Sequence, residues 1–305
     1  MRNYLIKIFP LVVVLVGSFF LIACEKNIEV NTTTPTATIQ FEHPSISTPP
    51  PPTNTPLPLA AMVNGEVITL EEFQAELERF KAANSVAESL SDTEMGRKVL
   101  DDLINQILLS QAALDAGFRL TNEEFEVRFN ALVKEVNSQE AFQSWLGENH
   151  WTEGTFRKSL KRSIEASWMR DQIIAEVPDA AEQVHAYQIM VSSAEEAASV
   201  LAQLDSGTKF ATIAAIYDPI THGDLGWFPR GYLMDEVIED AAFQLQPGEY
   251  SGVIESSLGY HIIQVIERDL NRPLSPEARL LWQEKALQDW IAQRRSRADI
   301  EVLIP

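Results

Sequence analysis

The chain has 305 residues, 45% of them hydrophobic, and 24 Lys and Arg against 44 Asp and Glu give it a formal charge of −20. That balance argues against nucleic acid as a partner and against a polybasic grip on anionic lipids, since both carry the same sign as the protein. The length leaves room for about two packed domains, and the apolar fraction is enough to give each a core.

Arg2 and Lys7 stand at the head of an apolar run, Phe9 to Ile22, which closes in Leu21-Ile22-Ala23-Cys24. A charged start, a short apolar stretch and a small residue before a cut predict a secretory signal over residues 1–23. An uncleaved signal anchor is the alternative, and both readings put the rest of the chain outside the cytoplasm. Losing Arg2 and Lys7 makes the remainder more acidic still. Cys24 is the single cysteine, so no internal disulfide can form. Leu-Ile-Ala-Cys resembles a bacterial lipobox. The resemblance implies that Cys24 is lipidated and anchors the protein to the bacterial cell membrane without a spanning helix. Residues 24–58 then read as a Pro/Thr-rich linker. Eight of the sixteen prolines fall within it, four of them consecutive at Pro49 to Pro52, a composition that favours an extended stalk over a packed fold.

Folding is expected to begin near Leu59. Ala61-Met62-Val63 and Val67-Ile68 flank Asn64-Gly65, a tight-hairpin signal. Thr69 opens a helix with Glu72 at the reciprocal capping position, and the helical pattern continues through Ala82. A second helix is predicted from about Ser91 to Ala116, with Val99, Leu103, Ile104, Ile107, Leu108 and Ala112 at helical spacing and Gly117 as its stop. Thr121 opens a third, with Glu124 three residues on and Phe125, Phe129, Leu132 and Val133 on it. A segment bearing Trp145 and Trp151 leads to a helix from Thr152 to about Glu176. Residues 59–180 therefore read as a helical domain with a small β element.

From residue 181 the pattern changes. A strand over Val184–Val191, helices over Ser193–Leu204 and Phe210–Ile216, a Gly-rich loop at Gly223–Gly226, a helix over Asp235–Phe243, a Pro247-Gly248 turn and strands over Tyr250–Glu255 and Tyr260–Arg268 predict a compact α+β unit. Beyond Pro273 and Pro276 a helix runs from about Glu277 to Arg297, with Leu280, Leu281, Ala286, Leu287, Trp290 and Ile291 along one side. The last segment, Ile300 to Ile304, alternates as a strand and needs a partner. The Ala61–Ile68 hairpin is the candidate, so residues 271–305 return to complete the first domain around an inserted second one.

Gly223-Asp224-Leu225-Gly226-Trp227-Phe228-Pro229-Arg230-Gly231 resembles the signature of the parvulin-type peptidyl-prolyl isomerases. Ala241-Ala242-Phe243, Leu245 to Glu249, Ser251-Gly252, Gly259 to Ile263, Ile189-Met190-Val191 and Phe210-Ala211 match the same family in order. The helical flanks, through Val99 to Ile104 with Leu108, Gln111, Ala112 and Gly117, resemble SurA-like and PrsA-like chaperones. The resemblance implies an α+β fold in which a parvulin-like domain, residues 181–270, is inserted into a mainly helical chaperone domain. It implies peptidyl-prolyl cis–trans isomerase activity and folding assistance to unfolded or proline-containing clients.

Rotation about the bond before proline faces a barrier of about 18–20 kcal/mol and is slow enough to limit folding. No bond is made or broken, so no cofactor, metal or nucleophile is needed; a catalyst favours the twisted amide in an apolar pocket. Carried over from the family, that pocket is expected from Leu225, Phe228, Met234 and Ile238, although each could equally be plain core. His261 matches the family's second site histidine, and the first falls at Gln188. Gln188 hydrogen-bonds but cannot titrate. The loop between Tyr217 and Gly223 is shorter than the family's, and Asp218 is the nearest replacement for its acidic or thiol residue. Asp218, His222 and Asp224 fit no metal-ligand spacing. These departures keep a second function open, a holdase that grips clients with little isomerase activity, and a third, an envelope scaffold that only borrows the fold.

Overall fold

The computed structural model describes residues 57–83, 90–136 and 138–304. The signal, Cys24 and most of the linker lie outside the described residues. In chain order the elements are β1 (Leu59–Val63), β2 (Glu66–Thr69), α1 (Leu70–Ala83), α2 (Asp92–Asp115), α3 (Asn122–Glu135), α4 (Gln139–Glu148), α5 (Glu153–Ala175), β3 (Ala180–Val191), α6 (Ala194–Asp205), α7 (Phe210–Tyr217), β4 (Asp224–Pro229), α8 (Glu236–Gln244), β5 (Ile254–Ser256), β6 (Gly259–Pro273), α9 (Pro276–Arg295) and β7 (Ile300–Val302).

Asn64 and Gly65 both take positive φ, 50° and 83°, the two-residue hairpin geometry that only such a pair adopts cheaply. The strand order is β2-β1-β7, antiparallel throughout, with Ala61 opposite Val302. Asn64 fastens the chain's end to this hairpin. Its side-chain oxygen accepts from the Asp299 amide at 2.8 Å, and its own amide donates to the Asp299 carbonyl at 2.8 Å. One face of α2 covers the hairpin through Val99, Leu103, Ile104, Ile107 and Leu108. Farther along α2, Leu109 meets Ala166 and Ile173 of α5 and Ala286, Leu287, Trp290 and Ile291 of α9. Leu280, expected on that apolar side, is exposed. A separate aromatic cluster joins α3, α4 and α5 through Phe129, Phe142 and Phe156, whose rings meet edge-on at 5.5 and 5.6 Å about Phe142.

Local capping sets the helix starts. Ser91 with Glu94 and Thr121 with Glu124 form complete capping boxes. Thr69 accepts from the Glu72 amide at 3.0 Å, but the Glu72 carboxylate turns away to the buried guanidinium of Arg162 at 2.7 Å. Arg162 also holds Glu66 at 2.8 Å, so one α5 side chain locks β2 and α1 together. The Trp-bearing segment contains a helix that periodicity left unassigned, α4.

The second sheet has the order β4-β3-β6-β5, again antiparallel. Its long β3–β6 pairing starts at Ala180 opposite Pro273 and reaches Val191 opposite Tyr260. Alternation along the strands divides the side chains between two layers. Ile189, Val191 and Ile262 face α6 and α7, packing on Ala197, Val200, Phe210 and Ile213. Val184, Ala186, Ile263 and Val265 face α8, packing on Phe228, Ile238, Ala242 and Phe243. Two sequence expectations change here. The Gly223–Gly226 segment is mostly strand, since β4 starts at Asp224. The strand expected at Tyr250–Glu255 shrinks to Ile254–Ser256, because the Ser251 hydroxyl, in place of a backbone carbonyl, accepts from the Ile263 amide at 3.0 Å. No described helix is long and apolar enough to cross a membrane.

Candidate active site

On the α8-facing side of the sheet, the register sets His261 of β6 between Ile254 of β5 and Met190 of β3. Gln188 lies opposite the next inward residue, Ile263. Directly paired residues share a face, so Met190, Gln188 and His261 continue the row that becomes the apolar layer around Phe228. Met190 is 47% exposed whereas His261 is 1% exposed, so the row runs from a sealed floor to an open rim.

The imidazole is held at both nitrogens. Nε2 lies 2.8 Å from the Ser256 hydroxyl and Nδ1 lies 3.4 Å from the Gln188 amide oxygen. An amide oxygen only accepts, so Nδ1 carries the proton and the Ser256 hydroxyl donates to Nε2. Ser256 in turn accepts from the Leu258 amide at 3.0 Å. Burial lowers the proton affinity of His261, against an opposing pull from the Asp235 carboxylate. Gln188 and His261 are thus brought together, in a chain completed by Ser256, which no sequence signal had marked.

The position of Gln188 is set by a close backbone approach. Its amide donates to the Gly223 carbonyl at 2.8 Å. A Cβ on Gly223, whose φ is +75°, would fall 2.1 Å from the Gln188 carbonyl oxygen. Only glycine serves there. Asp218 shapes the same loop. Its carboxylate accepts from the Thr221 hydroxyl, the Thr221 amide at 3.1 Å, the Ile220 amide at 3.0 Å and the Gly223 amide at 3.3 Å. Those bonds, the Thr221 hydroxyl first, lower its pKa to about 2. The bonds of Asp218 stay within its own loop, and the structure does not bring it to His261. Near it, His185 bonds Asp224 at 2.8 Å. Burial opposes the charge of Asp224, but the Gly226 amide, His185 and Tyr187 together hold its carboxyl below the ordinary range.

Phe228 and Ile238 are buried in the α8-facing layer, and Leu225 packs at its edge. Met234 is fully exposed and is not part of this cluster; Leu233, one residue earlier, packs there with Tyr232. The loop that sets this phase is governed by Glu239, a buried carboxylate on α8 that sequence reasoning passed over. It accepts from three successive amides, Gly231 at 2.6 Å, Tyr232 at 2.9 Å and Leu233 at 3.0 Å. From the other side the Trp282 indole of α9 donates to the Arg230 carbonyl at 2.9 Å. Among the described residues no group of three or more His, Cys, Asp or Glu is arranged to hold a metal ion.

A family model for the PPIC-type PPIase domain matches residues 173–267, and one for the SurA-like N-terminal domain matches residues 3–170. The foldase protein PrsA of Caldanaerobacter subterraneus subsp. tengcongensis is 31% identical over 227 residues, which cover 68% of this chain and 72% of that one. The chain belongs to the PrsA foldase family. The PrsA of Bacillus subtilis is 27% identical over 214 residues, with 64% and 72% covered. A crystal structure of PrsA from Bacillus cereus aligns with a TM-score of 0.42 at 21% identity, covering 77% of this chain and 84% of that one. This PrsA-family foldase is a peptidyl-prolyl cis–trans isomerase and folding chaperone, which acts on client polypeptides outside the cytoplasm.

Proposed function

We propose that isomerisation takes place against the α8-facing side of the inserted sheet. His261 and Gln188 form its polar floor, Leu225, Phe228, Leu233 and Ile238 its apolar wall, and Met190 and Met234 its exposed rim. The observation that carries this reading is the Ser256–His261–Gln188 chain of hydrogen bonds. It ends in a Gln188 amide group beside the apolar layer around Phe228, in a row that runs on to the exposed Met190. The Gln188 oxygen is occupied by His261, which leaves its NH2 group, with two donors, for the client's prolyl nitrogen, whose lone pair is freed as the amide twists out of resonance. A donor fixed there favours the twisted amide over the planar forms, and the apolar wall holds the proline ring. His261 neither gives nor takes a proton; it orients Gln188. Asp218 contributes by holding Gly223 against Gln188.

The finer arrangement of the chain belongs to the same reading. Residues 59–180 and 271–305 form one chaperone body and residues 181–270 the insert, a division supported by the pairing of Ala180 with Pro273 where the insert begins and ends. Residues 1–23 are a cleaved signal, residues 24–58 a stalk, and Cys24 a lipid anchor on the cell membrane. The charge of −20 turns the body away from nucleic acid and towards neutral or basic clients.

A prolyl isomerisation assay on Gln188→Ala and Leu225→Ala tests the site. Each is expected to lower kcat/KM about tenfold, the size of one lost hydrogen bond or side-chain contact at a reacting group. Full activity in both, with folding intact, would move the reaction to another surface.

A further inference from the structure

We infer that Glu239 is a positioning residue of this isomerase, setting the Leu233 wall of the proline pocket through the amides of the Gly231–Leu233 loop. The inference rests on the pocket proposed above and adds a residue that makes no contact with the client.

A carboxylate as closed off as this one, 6% exposed, is tolerated only when its oxygens are satisfied. Glu239 finds its partners in the backbone. Oε1 takes the Gly231 amide, and Oε2 takes those of Tyr232 and Leu233. Three consecutive amides can converge on one group only if the loop curls round it, and Gly231 permits the curl with φ of +76°. The curl decides which side chain faces the core. Leu233 enters the layer beside Ile238, and Met234 is left fully exposed. Ile238, the neighbour of Glu239 on α8, is itself part of that wall. A single helical turn therefore fixes both the floor of the wall and the loop that closes it.

A purely structural cap would affect stability without affecting how the pocket receives proline. Glu239→Gln discriminates, because it keeps the size but replaces one accepting oxygen with an NH2 group that faces an amide donor. In the full chain it is expected to raise KM for a proline-containing peptide about tenfold, the cost of one broken charge-assisted bond. The kcat should change far less. Hydrogen exchange should accelerate at the amides of Gly231, Tyr232 and Leu233 and stay unchanged along β3 and β6. E239D, which keeps the charge but falls one methylene short, is expected to lie between. If E239Q does not fold, E239D carries the test alone. Either variant showing a wild-type KM with those three amides exposed to exchange overturns the inference. The Gln188→Ala variant, measured alongside, separates the two readings. If it loses activity while E239Q does not, only the role of Glu239 fails. If neither changes the kinetics, the pocket itself has been misassigned.

Discussion

The helical body and the inserted sheet domain use their polar side chains differently. In the body, charged groups find one another, several of them across long stretches of sequence. Arg162 holds Glu66 and Glu72, Arg294 and Arg295 of α9 reach Asp115 and Asp101 of α2, and Ser110 bonds Glu165 at 2.6 Å. In the insert they mostly find the backbone. Asp218 and Glu239 collect loop amides, Gln183 donates to the carbonyls of Arg272 and Pro273, and Arg268 donates to those of Phe243 and Leu245. Side chain to side chain bonds join whole elements and leave their surfaces free for varied clients. Side chain to backbone bonds fix loop shape to within an ångström or so, as a site that must fit one twisted amide requires.

Breaking the body should therefore cost stability and spare catalysis. Arg162→Ala strands Glu66 and Glu72 at a buried junction, and its expected cost is about 3–5 kcal/mol. Urea unfolding would read the loss, while the isomerisation rate per folded molecule should stay near wild type. A parallel fall in that rate would mean that the two regions are not separable in this way. Breaking the insert should do the reverse. Gly223→Ala forces a Cβ into the Gln188 carbonyl, with an expected cost of about 2–3 kcal/mol. It should remove most isomerase activity while suppression of client aggregation persists. The smallest effect concerns acid. The bonds that lower Asp218 to about 2 from its ordinary 3.8 stabilise the insert fully above the higher value, and that contribution disappears as pH falls through the lower one. Asp218→Asn should flatten the decline in stability between about pH 4 and pH 2, measured by near-UV circular dichroism.

The same contrast explains what could be read from sequence. The helix start at Thr121 with Glu124, the Asn64-Gly65 turn and the return of β7 to the hairpin are local or periodic features, and each appears as expected, whereas the reciprocal cap expected at Thr69 loses its Glu72 carboxylate to Arg162. Gln188 and His261 meet because strand register follows from alternation. The helix α4 escaped because its apolar residues, Phe142, Trp145 and Leu146, span barely one turn and a glycine follows at once. Glu239 escaped because an acidic residue among Glu236, Glu239 and Asp240 reads as part of a solvated face. Met234 was expected in the wall where Leu233 packs. A loop's phase depends on the bonds that curl it, which residue spacing does not record. Asp218 was expected to face the client amide, yet its own loop offers four donors nearer at hand.

The pairing of Ala180 with Pro273, extended by the Leu274 amide donating to the Asp179 carbonyl at 2.9 Å, has an evolutionary reading. The polypeptide leaves the helical body and re-enters it through two adjacent strands, so the covalent connection to the sheet domain is a ribbon two strands wide. A cassette mounted on such a stem can be deleted, duplicated or exchanged by recombination at one spot, with the ends rejoined by a short bridge and the rest of the molecule left in place.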